Sequence, residues 1–209
     1  MTSRYGIFVV PQPEFTARAY RARQIICGQY GTWAAEMLMV HIMIAGFFPS
    51  ADGGIEPLDL GLAELAAGSR VDGVQIPLKC AGVAAAKELP GSIYLDFGPL
   101  RDDDPLMLLH GNVIDMVRGF SDTGDIEHLA PDEFRPRLPL MQFANLPPAV
   151  FSDAEEFARG VVEDVGLPES TSAWRLMLAR FHSQAAGENW EPGSWAADIS
   201  WELLSSHAL

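Results

Sequence analysis

The residues of this chain best suited to chemistry are a histidine and two arginines, and they fall in two short apolar runs. The first is Val40-His41-Ile42-Met43-Ile44-Ala45-Gly46-Phe47-Phe48-Pro49; the second is Phe134-Arg135-Pro136-Arg137-Leu138-Pro139-Leu140-Met141-Gln142. An imidazole exchanges a proton near neutral pH. A guanidinium stays protonated, yet it grips a phosphate or carboxylate through two parallel hydrogen bonds. If both runs are strands, alternate side chains share a face. That groups Met39, His41 and Met43 on one face and Arg135, Arg137, Pro139 and Met141 on another. One histidine, one or two arginines and several methionines suit an anion with an apolar part better than symmetric acid–base exchange. Plainer readings stand beside these: His41 as a core histidine satisfied by a neighbour, and Arg137 as a surface arginine on an edge strand, since its flanking prolines cannot donate to a ladder. Met37, Met39, Met43 and Met141 read as packing residues rather than ligands.

The remaining candidates carry weaker signals. His110 lies in an apolar helical stretch, His128 in an acidic loop and His207 in the tail, and all three read as structural or solvated. His182 lies on a late strand from which it could reach a cleft. No metal-ligand spacing occurs, and P-loop, dinucleotide and nucleophile-elbow patterns are absent, so no metal or cofactor is expected. Cys27 and Cys80 are far apart without a CxxC; two buried free thiols are expected, with a single disulfide as the alternative.

The elements that must position these residues alternate in type. Residues 5–10 predict a strand ended by Pro11, and residues 14–30 an amphipathic helix with Phe15, Ala19, Ala22, Ile25 and Ile26 near helical spacing, closed by Gly28 and Gly31. The apolar run 37–48 predicts a strand, residues 58–67 a short helix, and residues 74–80 and 92–97 two strands, with 81–87 ambiguous between them. Asp102, Asp103 and Asp104 before Pro105 mark the start of a helix running to about residue 120. After a polar loop at 121–131 come a strand over 134–143 and a helix over 153–165 capped by Ser152. A closing hairpin of residues 174–184 and 196–204, turning through 187–193, ends the chain. The first strand, helix and His41 strand form one β-α-β unit; the strand at 92–97, its helix and the Arg137 strand form a second. This coarse duplication predicts an α+β fold of two pseudo-symmetric lobes of antiparallel sheet flanked by helices around a central cleft, with residues 1–209 as a single two-lobed domain.

Composition sets the outer limits. The 209 residues are 48% hydrophobic and 20% charged, with a formal net charge of −14. A chain of this length builds a full core without disulfides or metal. So negative a surface repels phosphate backbones, which argues against long RNA or DNA as a partner. A small phosphorylated ligand in a locally positive cleft remains compatible with it, because the field of a site differs from the surface average. The charge itself is first a solubility feature. With no export signal and no apolar run near the ~18 residues of a membrane helix, a cytoplasmic location is expected.

The two runs resemble the paired signature motifs of the 2H phosphoesterases, the superfamily of RNA 2′,3′-cyclic phosphodiesterases and 2′-5′ RNA ligases. The first run resembles an apolar strand with His-x-Thr/Ser and a Pro-Phe-like turn; the second resembles F-x-P-H-x-T-L-x-Q. The order of elements is similar across nearly the whole chain. The resemblance implies two histidines facing across a cleft as general base and acid, with two hydroxyls donating to the phosphate oxygens. In this chain His41 matches the first histidine, while Met43, Arg137 and Pro139 stand at the first hydroxyl, the second histidine and the second hydroxyl. Methionine and proline donate no hydrogen bond, and arginine cannot exchange a proton near neutral pH.

The resemblance leaves two functions of different class. One is a phosphodiesterase for a small 2′,3′-cyclic or 2′-5′-linked nucleotide, with His41 as acid/base and Arg137 steadying phosphate charge. The other is a catalytically inactive member that binds a nucleotide, another anionic ligand or a protein partner in the remodelled cleft through Arg137, Met43, Pro139 and Arg135. Different chemistry in the same cleft would need a second nucleophile or base, and none is evident in the sequence.

Overall fold

The computed structural model describes residues 2–49, 54–71, 75–86, 91–120, 134–188, 190–191 and 193–209. The expected loop at 121–131, with His128, lies outside the described residues. Among the described residues the architecture is α+β, with two antiparallel sheets and four α-helices. In the larger sheet, β1 (Thr2–Pro11) lies between β2 (Ile42–Phe48) and the long β7 (Ser170–Ser183). On its other side β7 pairs with β3 (Pro77–Lys79) and β8 (Ser200–Ala208). The smaller sheet runs β4 (Gly82–Ala85), β5 (Ile93–Asp96), β6 (Arg137–Met141), all antiparallel. The ambiguous stretch before residue 87 therefore contains an edge strand, β4.

Strand parity decides which side chains reach the site. On β1, Ile7 and Val9 enter the main core, whereas Phe8 and Val10 enter a second cluster with Leu38, Ala179, Phe181, Trp190 and Trp195. The central strand β7 repeats the split: Leu176 and Leu178 face the main core, Ala179 and Phe181 the second cluster. A strand buried on both faces reads as a continuous apolar run, as Ile7-Phe8-Val9-Val10 does. The second cluster is the floor of the candidate site.

Four helices cover the sheets. Helix α1 (Pro13–Tyr30) buries Phe15, Ala19, Ala22, Arg23, Ile26 and Cys27, one helical stripe, and ends on Gly31 at φ 63°, a conformation that glycine adopts without steric cost. Helix α2 spans Glu56–Val71 and α3 spans Pro105–Phe120. Asp104 opens α3 as expected, its Oδ1 accepting from the Leu106 N–H at 2.9 Å. Helix α4 (Pro148–Asp164) begins four residues before the predicted cap, so Ser152 lies inside it. Pro147 and Pro148 set the start: a proline at the first helical position has its φ already helical and lacks an N–H that would go unused.

The run from residue 37 is the main departure from expectation. Strand β2 begins only at Ile42, and residues 34–40 form turns packed beneath the sheet. Met39 consequently does not share a strand face with His41 and Met43. Both cysteines are free; Cys27 is buried and Cys80 half-buried rather than buried.

Candidate functional site

A cavity of about 290 Å³ opens between the two sheets. His41, Met43, Arg135, Arg137 and Pro139 all line it, so the two runs meet at one place. The larger sheet's side contributes His41, Met43 and Phe47; the smaller sheet contributes Tyr94, Arg137, Pro139 and Met141. Among the described lining residues none is Asp or Glu, in a chain of net charge −14. The charged side chains of the described lining are thus the guanidiniums of Arg135 and Arg137.

His41 is only 3% exposed and sits at the cavity floor, its ring edge-on to Phe8 at 5.4 Å. Its Nδ1 donates to the Met39 carbonyl at 2.7 Å, because a carbonyl can only accept. This fixes the tautomer and leaves the Nε2 lone pair as the nitrogen available to a ligand. Burial, with a smaller push from Arg23, holds the imidazole down to about 4, so it is neutral at physiological pH. The unfolded chain takes up this proton near pH 6.5 and the folded chain near 4. Stability must therefore fall as pH drops through that window, by about 2 kcal/mol between pH 7 and pH 5 from this residue. Urea unfolding at pH 7 and pH 5 checks this: His41→Gln should lose less stability than wild type over that interval, and equal losses would refute it.

The opposite wall is cationic and aromatic. Arg137 is half-buried, with its guanidinium over the Tyr94 ring at 4.4 Å. It lines the cavity from an edge strand of the smaller sheet. Arg135 is exposed at the mouth, where its Nη1 donates to the Phe134 carbonyl at 3.1 Å. Pro139 and Met141 follow on the same face of β6, while Leu138 and Leu140 point into the core.

Several lining residues carried no functional signal in the sequence. Phe47, Phe143, Trp190 and Trp195 form an aromatic wall, Phe47 lying 5.1 Å from Trp190 and 5.4 Å from Trp195, and Phe143 meeting Trp195 edge-on at 5.2 Å. Among the described residues, the three non-glycine residues with positive φ are Phe47 (56°), Phe143 (48°) and Trp190 (51°), all in this wall. Left-handed backbone is disfavoured for bulky side chains and gathers at ligand sites. Gly193 leaves room for the Phe143 ring, since a Cβ there would lie 2.9 Å from it. Ser92, Tyr94 and Gln142 add polar groups; the Ser92 hydroxyl oxygen accepts from the Phe143 N–H at 3.2 Å, leaving its own proton free to turn.

The other histidines lie elsewhere. His110 is buried, donating from Nδ1 to the Ile44 carbonyl at 3.0 Å and stacked on Phe134 at 4.0 Å, a structural role that braces β2 against α3. His182 bonds Ser3 Oγ at 2.9 Å and does not line the cavity. His207 contacts Asp59 Oδ1 at 2.8 Å through Nε2, so it is paired within the fold rather than free in a tail. No described helix is long and apolar enough to cross a membrane.

No protein-family model matches the chain, and no curated protein is similar to it in sequence. Solved structures, in contrast, match over its whole length. LigT of E. coli complexed with NADP+ superimposes with a TM-score of 0.54 at 12% identity, covering 99% of this chain and 97% of LigT. LigT complexed with 3′-AMP gives 0.52 at 12% identity, covering 100% and 99%. TT0787 of Thermus thermophilus gives 0.54 at 14% identity, covering 99% and 97%. At such identities the likeness speaks for architecture alone, and that architecture agrees with the two motif-bearing runs meeting across one cleft: the chain has the 2H phosphoesterase fold.

Proposed function

We propose that this protein binds a small phosphorylated ligand of nucleotide type in the cleft and does not carry out two-histidine phosphodiester hydrolysis. The observation that carries the reading is a cavity that joins Arg135, Arg137 and His41 to an aromatic wall. Arginine supplies paired donors to an anion, and the aromatic faces take a flat apolar group. Crystals of LigT contain 3′-AMP, NADP+, ATP or phosphate, ligands of this chemical class bound by that protein. Against hydrolysis stands His41, the one histidine among the described lining residues, neutral down to about pH 4 and so a weak base at neutral pH. Loss of one proton-transfer group alone costs about 10²–10⁴-fold in rate.

One observation favours a second reading, a slow one-histidine phosphodiesterase: His41 is anchored through Nδ1 with Nε2 left available, the arrangement of a general base. A panel of 2′,3′-cyclic nucleotides and 2′-5′ dinucleotides, with His41→Ala beside wild type and calorimetric titration of 3′-AMP, separates the two. Saturable binding with no turnover above His41→Ala is the expected result. Turnover abolished by the substitution would replace the binding reading with the enzymatic one, and absence of both would sink each for these ligands.

A further inference from the structure

Arg23 sits on the inward face of α1 and is fully buried. Its Nε donates to the Pro139 carbonyl at 3.0 Å, and its Nη1 to the carbonyls of Ala35 at 2.9 Å, Leu38 at 2.8 Å and, more weakly, Met39 at 3.4 Å. The guanidinium thus ties the turn that leads into His41 to the middle of β6, one segment from each side of the cleft. Its Nη2 is buried without a hydrogen-bond partner, and no carboxylate of the described residues forms an ion pair with it. Glu36, whose carboxylate charge it feels, lies on the surface. Burial lowers its proton affinity only to about 10, so it remains a full cation at neutral pH.

We infer that Arg23 is a positioning residue of the cleft whose uncompensated charge, acting from beneath His41 and Pro139, both aligns the two motif segments and helps hold the anion. The anion half of this rests on the functional reading above; the alignment half rests on the hydrogen bonds alone. Arg23 Nη1 and His41 Nδ1 donate to the same oxygen, that of Met39, which puts them within about 6 Å of each other. Across that distance, in a poorly solvated interior, a guanidinium disfavours a second positive charge and favours a negative one. The same cation therefore reinforces burial in keeping His41 unprotonated and adds to the attraction exerted by Arg137 and Arg135 at the opposite wall. A purely packing role would need none of this, since an apolar side chain of similar volume fills such a site without the cost of a buried charge.

Arg23→Gln and Arg23→Lys separate charge from hydrogen bonding. Both lose donors and should lower the thermal midpoint. Calorimetric affinity for 3′-AMP and inorganic phosphate, measured on protein with native near-ultraviolet circular dichroism, should fall about tenfold in Arg23→Gln and stay within about threefold of wild type in Arg23→Lys. The His41 ring resonances, followed from pH 7.5 to 5, should begin to titrate about half a unit or more higher in Arg23→Gln, but not in Arg23→Lys. Equal weakening in the two variants, in step with their lost stability and with His41 unmoved, would overturn the charge role and leave a structural tie. Failure of wild type to bind either anion would overturn the functional reading alone, and the His41 titration then decides for or against Arg23.

Discussion

Arg137→Met should weaken binding of 3′-AMP by about 10–100-fold at 50 mM salt, the loss expected when a charge-assisted, paired hydrogen bond to phosphate is removed, about 1.5–3 kcal/mol. Arg137 sits part-way down the wall, its guanidinium plane held by the Tyr94 ring, so little side-chain freedom remains to be lost when an anion arrives. Arg137→Lys keeps the charge and loses the planar fork, and an intermediate loss is expected. Arg135, exposed at the mouth, should matter less: Arg135→Met costs a few-fold at most, and that loss disappears at high salt because solvent-exposed charges are screened. Calorimetric titration of the three variants at 50 and 300 mM salt is the check. Unchanged affinity in Arg137→Met would show that the anion is held somewhere other than this wall.

Much of this arrangement could be read from residue order, and the failures have physical causes. Periodicity located β1, α1 and the start of α3 because in each the local preference and the tertiary burial agree: Phe15, Ala19, Ala22 and Ile26 form one stripe, and Asp104 caps α3. Residues 37–41 broke the rule. Their apolar character reads as strand, yet three of the backbone carbonyls in residues 35–39 turn inward to satisfy Arg23, an interaction between α1 and a turn that local pattern cannot show. Arg23 itself carries a signal in the sequence. It stands at the fourth position after Ala19, inside the buried stripe, where a charged residue needs a specific partner. The aromatic wall was hidden more deeply: Trp190 and Trp195 come from a turn-rich segment between β7 and β8, and only the pairing of β7 with β1 and of β8 with β7 brings them to Phe47. The start of α4, by contrast, lies at Pro147-Pro148, whose fixed φ and missing N–H outweigh the capping preference of Ser152.

The largest effect on stability is expected from a position that touches no ligand, Gly91→Ala. Gly91 has φ 70°, and a Cβ there would lie 2.1 Å from the Ala144 carbonyl oxygen and 2.6 Å from its nitrogen. Both are backbone atoms, so no rotamer relieves the clash. The Ala144 N–H donates to the Gly91 carbonyl at 3.0 Å, and one residue further along each segment the Phe143 N–H reaches Ser92 Oγ at 3.2 Å. Separating the two segments breaks both bonds, adds the strain of a left-handed alanine and removes Phe143 from its contact with Trp195. Together these amount to about 3–5 kcal/mol, or a fall of roughly 10 °C in the thermal midpoint for a chain of this size. Gly160→Ala on the exposed face of α4, with open space around its Cβ, is the matched control and should be neutral or stabilising by up to about 1 kcal/mol. Because Ser92, Gln142 and Phe143 all line the cavity, Gly91→Ala should also lower affinity for 3′-AMP in whatever fraction stays folded. A Gly91→Ala protein that melts with the wild type would mean that residues 142–146 are not held against β5 as tightly as this packing requires.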